Sequence, residues 1–421
     1  MSFLEKTMLI FLFGLPFQFA LHPAAGVDLA LARVLAVGMF LAWGARSLLR
    51  KNIILPRPQA FFFFSSYLAW AVVSIVWAGN TDWALRKVLF LLSFMPLFIV
   101  FVAVLGETSF REKAIKAFGY GAFLSAFLAL AQFFCQFVFG VGATFTFWVR
   151  EVLPFFLGPN FSAAVADYPS LLVNISGSTL MRAIGVFPDP HMFSFFLGMS
   201  LPLTLALAVR SAPGKRHVWV IGAGMIFLAD LLTFSRGGYI GLIFGMSAFF
   251  FPLLAQSAQR KKQLSHIGLG ALFVCGVVFL SPVGARLFSS FSRSDGSNVE
   301  RLRLWQESAV FIVEHPVLGA GLGNYPLAVK PSASYREPIY AHNLYLDVAS
   351  ELGLVGLFFF SGLLVLGILS AWQKWQGEHD IFALAFCSSL ILFSVHSFFE
   401  TPLFSVHVLP SLFFLIAASI V

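Results

Sequence analysis

LGLVGLFFFSGLLVLGILSA, residues 352–371, is an uninterrupted run of twenty residues without a charged side chain. A helix of this length crosses the ~30 Å hydrocarbon core of a bilayer. Comparable apolar runs recur along the chain and predict an all-α, polytopic integral membrane protein of about 12 transmembrane helices, with residues 1–421 as a single membrane domain. The predicted spans are 7–21, 27–45, 60–79, 86–106, 114–140, 191–209, 217–234, 238–256, 266–283, 352–371, 381–398 and 403–420.

The composition agrees with a membrane-embedded chain. Hydrophobic residues make up 59% of the sequence and charged residues 11%, and the mean hydropathy of +0.88 lies far outside the soluble range. The net charge of +8 does not indicate a nucleic-acid partner, because the basic residues form short clusters between apolar runs and no dense basic face. Membrane lipid is therefore the expected surrounding.

The placement of lysine and arginine predicts the orientation. Fifteen of the 27 basic residues fall in short loops on one side of the predicted spans, as in 46–57 and 260–262. Cytoplasmic loops carry this excess of positive charge. Both termini are therefore expected in the cytoplasm, and the loop 284–350, between the ninth and tenth spans, on the outer side.

This outer loop is the longest polar stretch of the chain, and it opens with a predicted amphipathic helix. SNVERLRLWQES begins at residue 297, and at 100° per residue its apolar side chains share one face. Arg301 flanks that face and is expected to point into the protein, whereas Arg303 is expected to point towards water. The predicted apolar face consists of Leu302, Trp305, Ala309, Ile312 and Val313.

Glycines and a histidine follow in the same loop. Gly319, Gly321 and Gly323 allow positive φ and close backbone approach, and a nucleotide-binding loop is excluded because no β-strand precedes them. His342 lies beside Asn343 just before the tenth span. Histidine titrates near pH 6.5 and can accept a proton at neutral pH. Glu351 is expected either to orient His342 or to cap the helix.

Two more arginines are expected on the outer side. Arg236 lies in the tight SRGG turn between two spans, and Arg182 ends the first long outer loop. The planar guanidinium binds two oxygens at once, so several arginines match the charge of a diphosphate. Asp189 and His191 are weaker candidates, since Asp-Pro commonly starts a helix. The outer side has no carboxylate cluster, so a site without metal or cofactor is expected.

These residues occur in an ordered set of short motifs that resembles the O-antigen ligase and polymerase superfamily. The resemblance covers about residues 180–400. Its motifs are Arg182-x-x-Gly185-x-Phe187, Ser235-Arg236-Gly237, Arg301-x-x-x-Trp305, His315-Pro316 with Gly319-x-Gly321-x-Gly323, His342-Asn343-x-x-Leu346 and Glu351-x-Gly353.

The resemblance implies a membrane glycosyltransferase that takes a saccharide from undecaprenyl diphosphate on the periplasmic face of the bacterial inner membrane. It implies that Arg236 and Arg301 bind the diphosphate, that Arg182 is an auxiliary contact and that His342 is the catalytic histidine. Supporting roles are expected for Asn343, Glu351, Trp305 and Gly321.

Several alternatives remain open on the sequence. Transfer to the lipid A-core would be O-antigen ligation, the favoured reading, whereas transfer to another lipid-linked repeat unit or glycan would be polymerisation. His342 would act either as a general base or as a diphosphate ligand. A transporter or flippase of anionic lipid-linked saccharides is the alternative of another class. It is disfavoured because transporters place charge near the bilayer midplane, and here most candidate charges lie near one interface.

Overall fold

The computed structural model describes residues 2–24, 27–175, 177–255, 296–334 and 339–421, and most of them are helical. The helices before residue 170 are α1 (Phe3–Gly14), α2 (Leu31–Arg50), α3 (Pro58–Val73), α4 (Thr81–Phe94), α5 (Pro96–Leu105), α6 (Thr108–Phe139), α7 (Val141–Phe147), α8 (Leu153–Leu157) and α9 (Pro159–Ala166). The later helices are α10 (Pro190–Arg210), α11 (Pro213–Leu231), α12 (Arg236–Ala255), α13 (Gly296–Glu314), α14 (Tyr325–Val329), α15 (Leu344–Glu378), α16 (Ile381–His396) and α17 (Val408–Ile420).

The helical membrane architecture is confirmed, but the count of twelve spans stays a prediction. Among the described residues, seven helical segments are long and apolar enough to cross a membrane: Leu31–Arg50, Pro58–Val76, Thr81–Leu105, Thr108–Phe139, Pro190–Arg210, Arg236–Ala255 and Leu344–Glu378. The helices α16 and α17 are apolar but shorter, and the predicted first span is the twelve-residue α1. The predicted ninth span, 266–283, lies outside the described residues.

Two short antiparallel hairpins depart from the all-α prediction. The strands β1 (Ala20–Ala24) and β2 (Val27–Ala30) pair with each other, as do β3 (Leu172–Ile175) and β4 (Ser178–Met181). Each strand has four or five residues, which is too few for a clear alternation of apolar and polar residues. The sequence pattern therefore contained no usable strand signal.

Contacts between helix ends define the two ends of the bundle. At one end, Arg210 at the end of α10 approaches Glu112 at 3.6 Å and Asp380 at 4.0 Å. At the other end, His407 Nδ1 donates a hydrogen bond to Leu15 O at 3.0 Å, which joins the end of α1 to the start of α17 across 392 residues. The residues predicted to form the site lie at this second end.

A break in α15 shapes the site end. Gly353 has φ 67° and ψ −177° inside the helix. The ordinary bond between Leu354 N and Ser350 O is replaced by two bonds to the preceding loop, since Leu354 N donates to Pro316 O at 2.8 Å and Ala320 N donates to Ser350 O at 2.9 Å. The backbone groups freed by the break are thus satisfied by protein, as lipid surroundings require.

The glycines after α13 allow this loop to approach so closely. Gly319 has φ 63°, and a Cβ there would lie 2.7 Å from Ser350 O. Gly321 has φ 86°, and a Cβ there would lie 2.8 Å from Ala78 Cα. Only glycine combines positive φ with such short backbone distances at low cost. The predicted positive φ is confirmed, and the glycines dock the loop between α15 and the α3–α4 turn.

Replacing Gly353 with alanine should destabilise the protein strongly. The backbone angles belong to a region that is essentially restricted to glycine and costs other residues about 1–3 kcal/mol. In addition, the new Cβ would lie 2.0 Å from Val317 O. We expect the Gly353→Ala variant to show a lower melting temperature in detergent by size-exclusion thermal-shift measurement. Gly377→Ala is the matched control in the same helix, because a Cβ there meets nothing within 4 Å; equal stability of the two variants would contradict the argument.

Candidate functional site

The helix α13 was predicted correctly, but its inward face is rotated from the predicted one. Leu302 and Val313 are 55% and 79% exposed, although both were expected on the buried face. A buried hydrogen bond of 2.7 Å between Ser308 Oγ and Tyr325 Oη determines the rotation. Because Ser308 and Tyr325 are polar, a hydrophobic pattern cannot detect this contact. The residues that face the protein are Arg301, Leu304, Trp305, Ser308, Phe311 and Ile312.

The two helix arginines point as predicted. Arg301 is half-buried on the inward face. Arg303 is exposed and forms ion pairs with Glu300 and Glu307 along the outer face of the same helix. The charge of Arg303 is therefore compensated along the outer face of α13, whereas Arg301 lies on the inward face.

His342 lies in a strained turn immediately before α15. Its φ of 49° is in the left-handed region, which costs a residue other than glycine about 1–3 kcal/mol. The turn is held on both sides: Ala341 N donates to Asp347 Oδ1 at 2.7 Å, and the Asn343 side chain caps α15 by accepting from Tyr345 N at 3.1 Å. Asn343 thus caps α15 beside His342, and its supporting role at the site stays a prediction.

Glu400, and not Glu351, orients the His342 ring. His342 Nδ1 lies 3.0 Å from Glu400 Oε1 and 3.2 Å from Oε2, in the segment between α16 and α17. Glu351 instead forms an ion pair of 2.6 Å with Lys87 of α4. The sequence did not reveal the Glu400 partner because 58 residues separate the two side chains. The one available signal was an acidic residue at an apolar helix end.

The electrostatics of this pair favour a charged or polarised imidazole. Burial of the His342 ring opposes protonation, but the hydrogen bond and charge of Glu400 outweigh it and raise the pKa of His342 above its usual value. Burial also acts against ionisation of Glu400, yet the contact with His342 lowers the pKa of this carboxyl. Since Nδ1–H faces the carboxylate, the Nε2 atom of His342 is left for another partner.

Arg301 lies close enough to act on this pair. Its positive charge acts on the His342 ring against protonation. Trp305, one turn along α13, donates its indole N–H to Ala341 O at 2.9 Å. Trp305 thus ties the helix that carries Arg301 to the residue preceding His342, and its supporting role at the site stays a prediction.

The turn containing Arg236 packs against the same region. Arg236 is the half-buried first residue of α12. At the next residue, Gly237, an added Cβ would lie 2.6 Å from Phe399 Cβ and 2.9 Å from His396 Cδ2. The start of α12 therefore packs against the segment that leads to Glu400. Arg236, the first residue of α12, thus lies at the site end of the bundle.

Arg182 is built into the protein more deeply than predicted. It is 3% exposed. Its Nε donates to Thr233 O at 2.5 Å and its Nη1 to Ser170 O at 2.9 Å. These bonds tie the loop before β3 to the turn before α12. Arg182 therefore has a structural role that the sequence did not predict, beside its suggested role as a diphosphate contact.

Asp189 and His191 also belong to this end of the bundle. Asp189 caps α10 by accepting from His191 N at 2.6 Å, as the Asp-Pro pattern predicted. His191 Nδ1 lies 3.0 Å from Ser235 Oγ, next to Arg236. The charges of Arg182, Glu400, Arg301 and His342 all act on the His191 ring. His191, a weaker candidate on the sequence, thus lies among the charged side chains of the site end.

The remaining predicted residue, Gly321, has a position in the backbone packing, and its supporting role at the site stays a prediction. It lies in the docked glycine loop against Ala78 and does not carry a side chain towards His342. Within the part of the chain that the structure describes, no group of three or more His, Cys, Asp or Glu side chains is arranged to hold a metal ion. The positive charge at the site is supplied by arginine.

Replacing Glu400 with glutamine should lower the pKa of His342. The carboxylate raises this pKa through a hydrogen bond and its charge, and glutamine removes the charge. In ¹⁵N-histidine NMR spectra, the His342 ring should then lose its proton at a lower pH than in the wild type. Glu351→Gln is the matched control, because Glu351 pairs with Lys87. A similar shift in both variants would mean that the Glu400 contact does not set the pKa.

A comparison with protein families agrees with the residue pattern. The family described as O-antigen ligase matches residues 221–361, about a third of the chain. The matched segment contains Arg236, Arg301 and His342, whereas Arg182 and Glu400 lie outside it. No curated protein matches the chain significantly. The match to the O-antigen ligase family over residues 221–361 thus supports the resemblance that the sequence motifs indicate.

Proposed function

We propose that the protein transfers a saccharide from an undecaprenyl-diphosphate carrier to the hydroxyl of an acceptor sugar. The favoured acceptor is the lipid A-core, so that the reaction is O-antigen ligation. The observation that carries the proposal is the His342–Glu400 pair, at 3.0 Å, beside the half-buried Arg301. A positioned imidazole next to an inward-facing arginine suits proton transfer beside an anionic leaving group.

The proposed reaction is a direct displacement at the anomeric carbon. The acceptor hydroxyl gives its proton to His342 Nε2, and its oxygen forms a bond to the anomeric carbon. The bond from that carbon to the diphosphate oxygen breaks, and the diphosphate keeps the electron pair on its lipid. Glu400 holds the opposite ring nitrogen and stabilises the imidazolium that forms. The donor is already activated by its diphosphate, so no nucleotide is consumed.

Arg236 and Arg301 are proposed to bind the diphosphate. Negative charge builds on the leaving group in the transition state, and prepositioned donors stabilise it most when water is excluded. Arg301 is on the inward face of α13, and Arg236 begins α12 at the same end of the bundle. We propose a metal-independent site because these guanidinium groups supply the positive charge.

We propose that this end of the bundle is the periplasmic face of the bacterial inner membrane, with both termini in the cytoplasm. The distribution of lysine and arginine over the short loops supports this orientation. The opposite end of the bundle, where Arg210 meets Glu112 and Asp380, contains one of the basic clusters assigned to the cytoplasm.

The His342→Ala variant should slow transfer by about 10²–10⁴-fold, as expected for the loss of a general base. Purified enzyme with a synthetic undecaprenyl-diphosphate saccharide gives turnover and donor affinity separately. Donor affinity should stay close to that of the wild type. The wild-type rate should fall as the pH drops through the pKa of His342, which lies above its ordinary value. This decrease of the rate at acidic pH should be absent in the variant.

The opposite pattern would show that His342 is a diphosphate ligand. Donor affinity would then collapse in His342→Ala, and the wild type would bind its donor more tightly as the pH falls, because the imidazolium is the better anion ligand. Wild-type activity in His342→Ala would remove the residue from the mechanism.

The two arginines of α13 provide an internal comparison. The Arg301→Ala variant should lose about 10²–10³-fold in turnover, the usual effect of removing an oxyanion donor. Arg301→Lys should recover little, since a point charge cannot replace a planar fork. Arg303→Ala should keep most activity, because Arg303 is exposed and paired with Glu300 and Glu307. Equal losses at the two positions would mean that only general positive charge matters.

Disruption of the gene in its host separates ligation from polymerisation. Loss of a ligase leaves long polymers on the lipid carrier. Loss of a polymerase leaves single repeat units, some of them already attached to the core. Normal saccharides both on the lipid carrier and on the core would argue against ligation and against polymerisation.

A further inference from the structure

A second imidazole at the site end is held by a chain of buried polar groups. His191 Nδ1 lies 3.0 Å from Ser235 Oγ, and Ser235 Oγ lies 3.3 Å from His396 Nε2. Ser235 and His396 are fully buried, and the His396 ring stacks on Phe195 with centroids 3.6 Å apart. Three segments of the chain thus contribute one side chain each to a hydrogen-bonded row that ends at His191.

The direction of the protons along this row follows from His396. Its Nδ1 is buried without a hydrogen-bond partner in the described part of the protein. Buried N–H groups without an acceptor are rarer than acceptors without a donor. His396 is therefore neutral with its proton on Nε2, and it donates to Ser235 Oγ.

The serine then determines the tautomer of His191. Ser235 Oγ also accepts from Gly238 N at 3.3 Å. A hydroxyl has two acceptor positions and one proton, so the Ser235 hydroxyl, already accepting from His396 and Gly238, donates to His191 Nδ1. The His191 ring must consequently carry its own proton on Nε2.

The surroundings of His191 are those of an anion site. The ring is partly exposed, and its bond to Ser235 is made through Nδ1, on the side of the ring opposite to Nε2. The charges of Arg182, Arg301, His342 and Glu400 act on the ring, and the carboxylate of Glu400 is already bonded to His342. A neutral N–H donor in such a field suits an oxygen that bears negative charge.

We propose that His191 is a second substrate-contacting imidazole, whose Nε2–H donates a hydrogen bond to a diphosphate oxygen of the lipid-linked donor. The inference rests on the proposed function. His342 handles the acceptor proton, and His191 keeps its own proton throughout. The hydrogen bond strengthens as charge builds on the leaving diphosphate, so its main effect falls on turnover. Ser235 and His396 are positioning residues, because they act only through the His191 tautomer.

The first test reads the ring itself and does not require transfer. Full-length protein with ¹⁵N-labelled histidine in detergent should show His191 as the Nε2–H tautomer, with the resonance assigned by its absence in His191→Gln. Inorganic pyrophosphate, used as the probe, should shift that resonance. A ring with its proton on Nδ1, or a resonance that pyrophosphate leaves unchanged, would overturn the proposal.

The second test measures transfer and binding in variants. His191→Ala should lower turnover by about 10²-fold, in the range for a lost oxyanion donor, and weaken pyrophosphate binding. His191→Gln places an N–H at a similar position and should retain more activity than His191→Ala. His217→Gln is the matched control. His217 is exposed near the start of α11, whereas the end of α11 leads into the turn that contains Ser235 and Arg236. Melting temperatures identify variants that fail to fold.

The outcomes separate the inference from the proposed function. If the wild type binds pyrophosphate at His191 but transfers no saccharide, the anion contact stands and the proposed function fails. If the wild type transfers saccharide and both His191 variants match it in turnover and pyrophosphate affinity, the inference fails alone. Equal loss in His191→Ala and His191→Gln with wild-type melting temperatures would also overturn it, since glutamine keeps the donor.

Discussion

Lipid offers no hydrogen bonds to a polypeptide backbone, and the site end of this protein is organised around that constraint. A straight α15 would satisfy its own backbone but leave no place for the glycine loop to dock. The break at Gly353 solves this by exchanging one helical bond for two bonds to the loop, while Trp70 Nε1 donates to Leu352 O at 2.8 Å. Irregular backbone is thus tolerated near the membrane because protein donors replace water.

The electrostatic arrangement follows from the same shortage of water. A buried carboxylate is unfavourable unless it is paired, and Glu400 meets this condition through His342. Lys87 and Glu351 do the same between α4 and α15, with the Lys87 ammonium also 4.5 Å from the centre of the Phe404 ring. Each of these two carboxylates thus has a basic partner from a different segment of the chain.

The sequence was sufficient where physics acts locally. Apolar runs predicted most of the described helices, the Asp189 and Asn343 caps follow from residue type, and the glycine pattern predicted positive φ. Prediction from the sequence failed where the structure depends on a contact between two side chains that are far apart in the chain. The Ser308–Tyr325 bond turns α13 away from its hydrophobic face. The Ser235–His396 contact has no local signal, and Glu400 is marked only by its place at an apolar helix end. The hairpin strands were too short for their pattern to emerge. Arg182 illustrates a further limit. Its guanidinium group was predicted to contact a diphosphate, but it donates hydrogen bonds to the backbone carbonyls of Ser170 and Thr233.

The position of Glu400 has a consequence for the order in which the protein matures. The chain is synthesised from its N-terminus, and both Glu400 and His407 come after His342 in the sequence. Arg182, Arg236, Arg301 and His342 all precede both residues in the sequence. Until Glu400 has been synthesised, the His342 ring lacks its carboxylate partner. In the same way, α1 lacks its hydrogen bond until His407 has been synthesised. The orientation of the His342 ring is therefore a property of the assembled bundle, because it depends on the segment between α16 and α17 and not on the turn that carries the histidine.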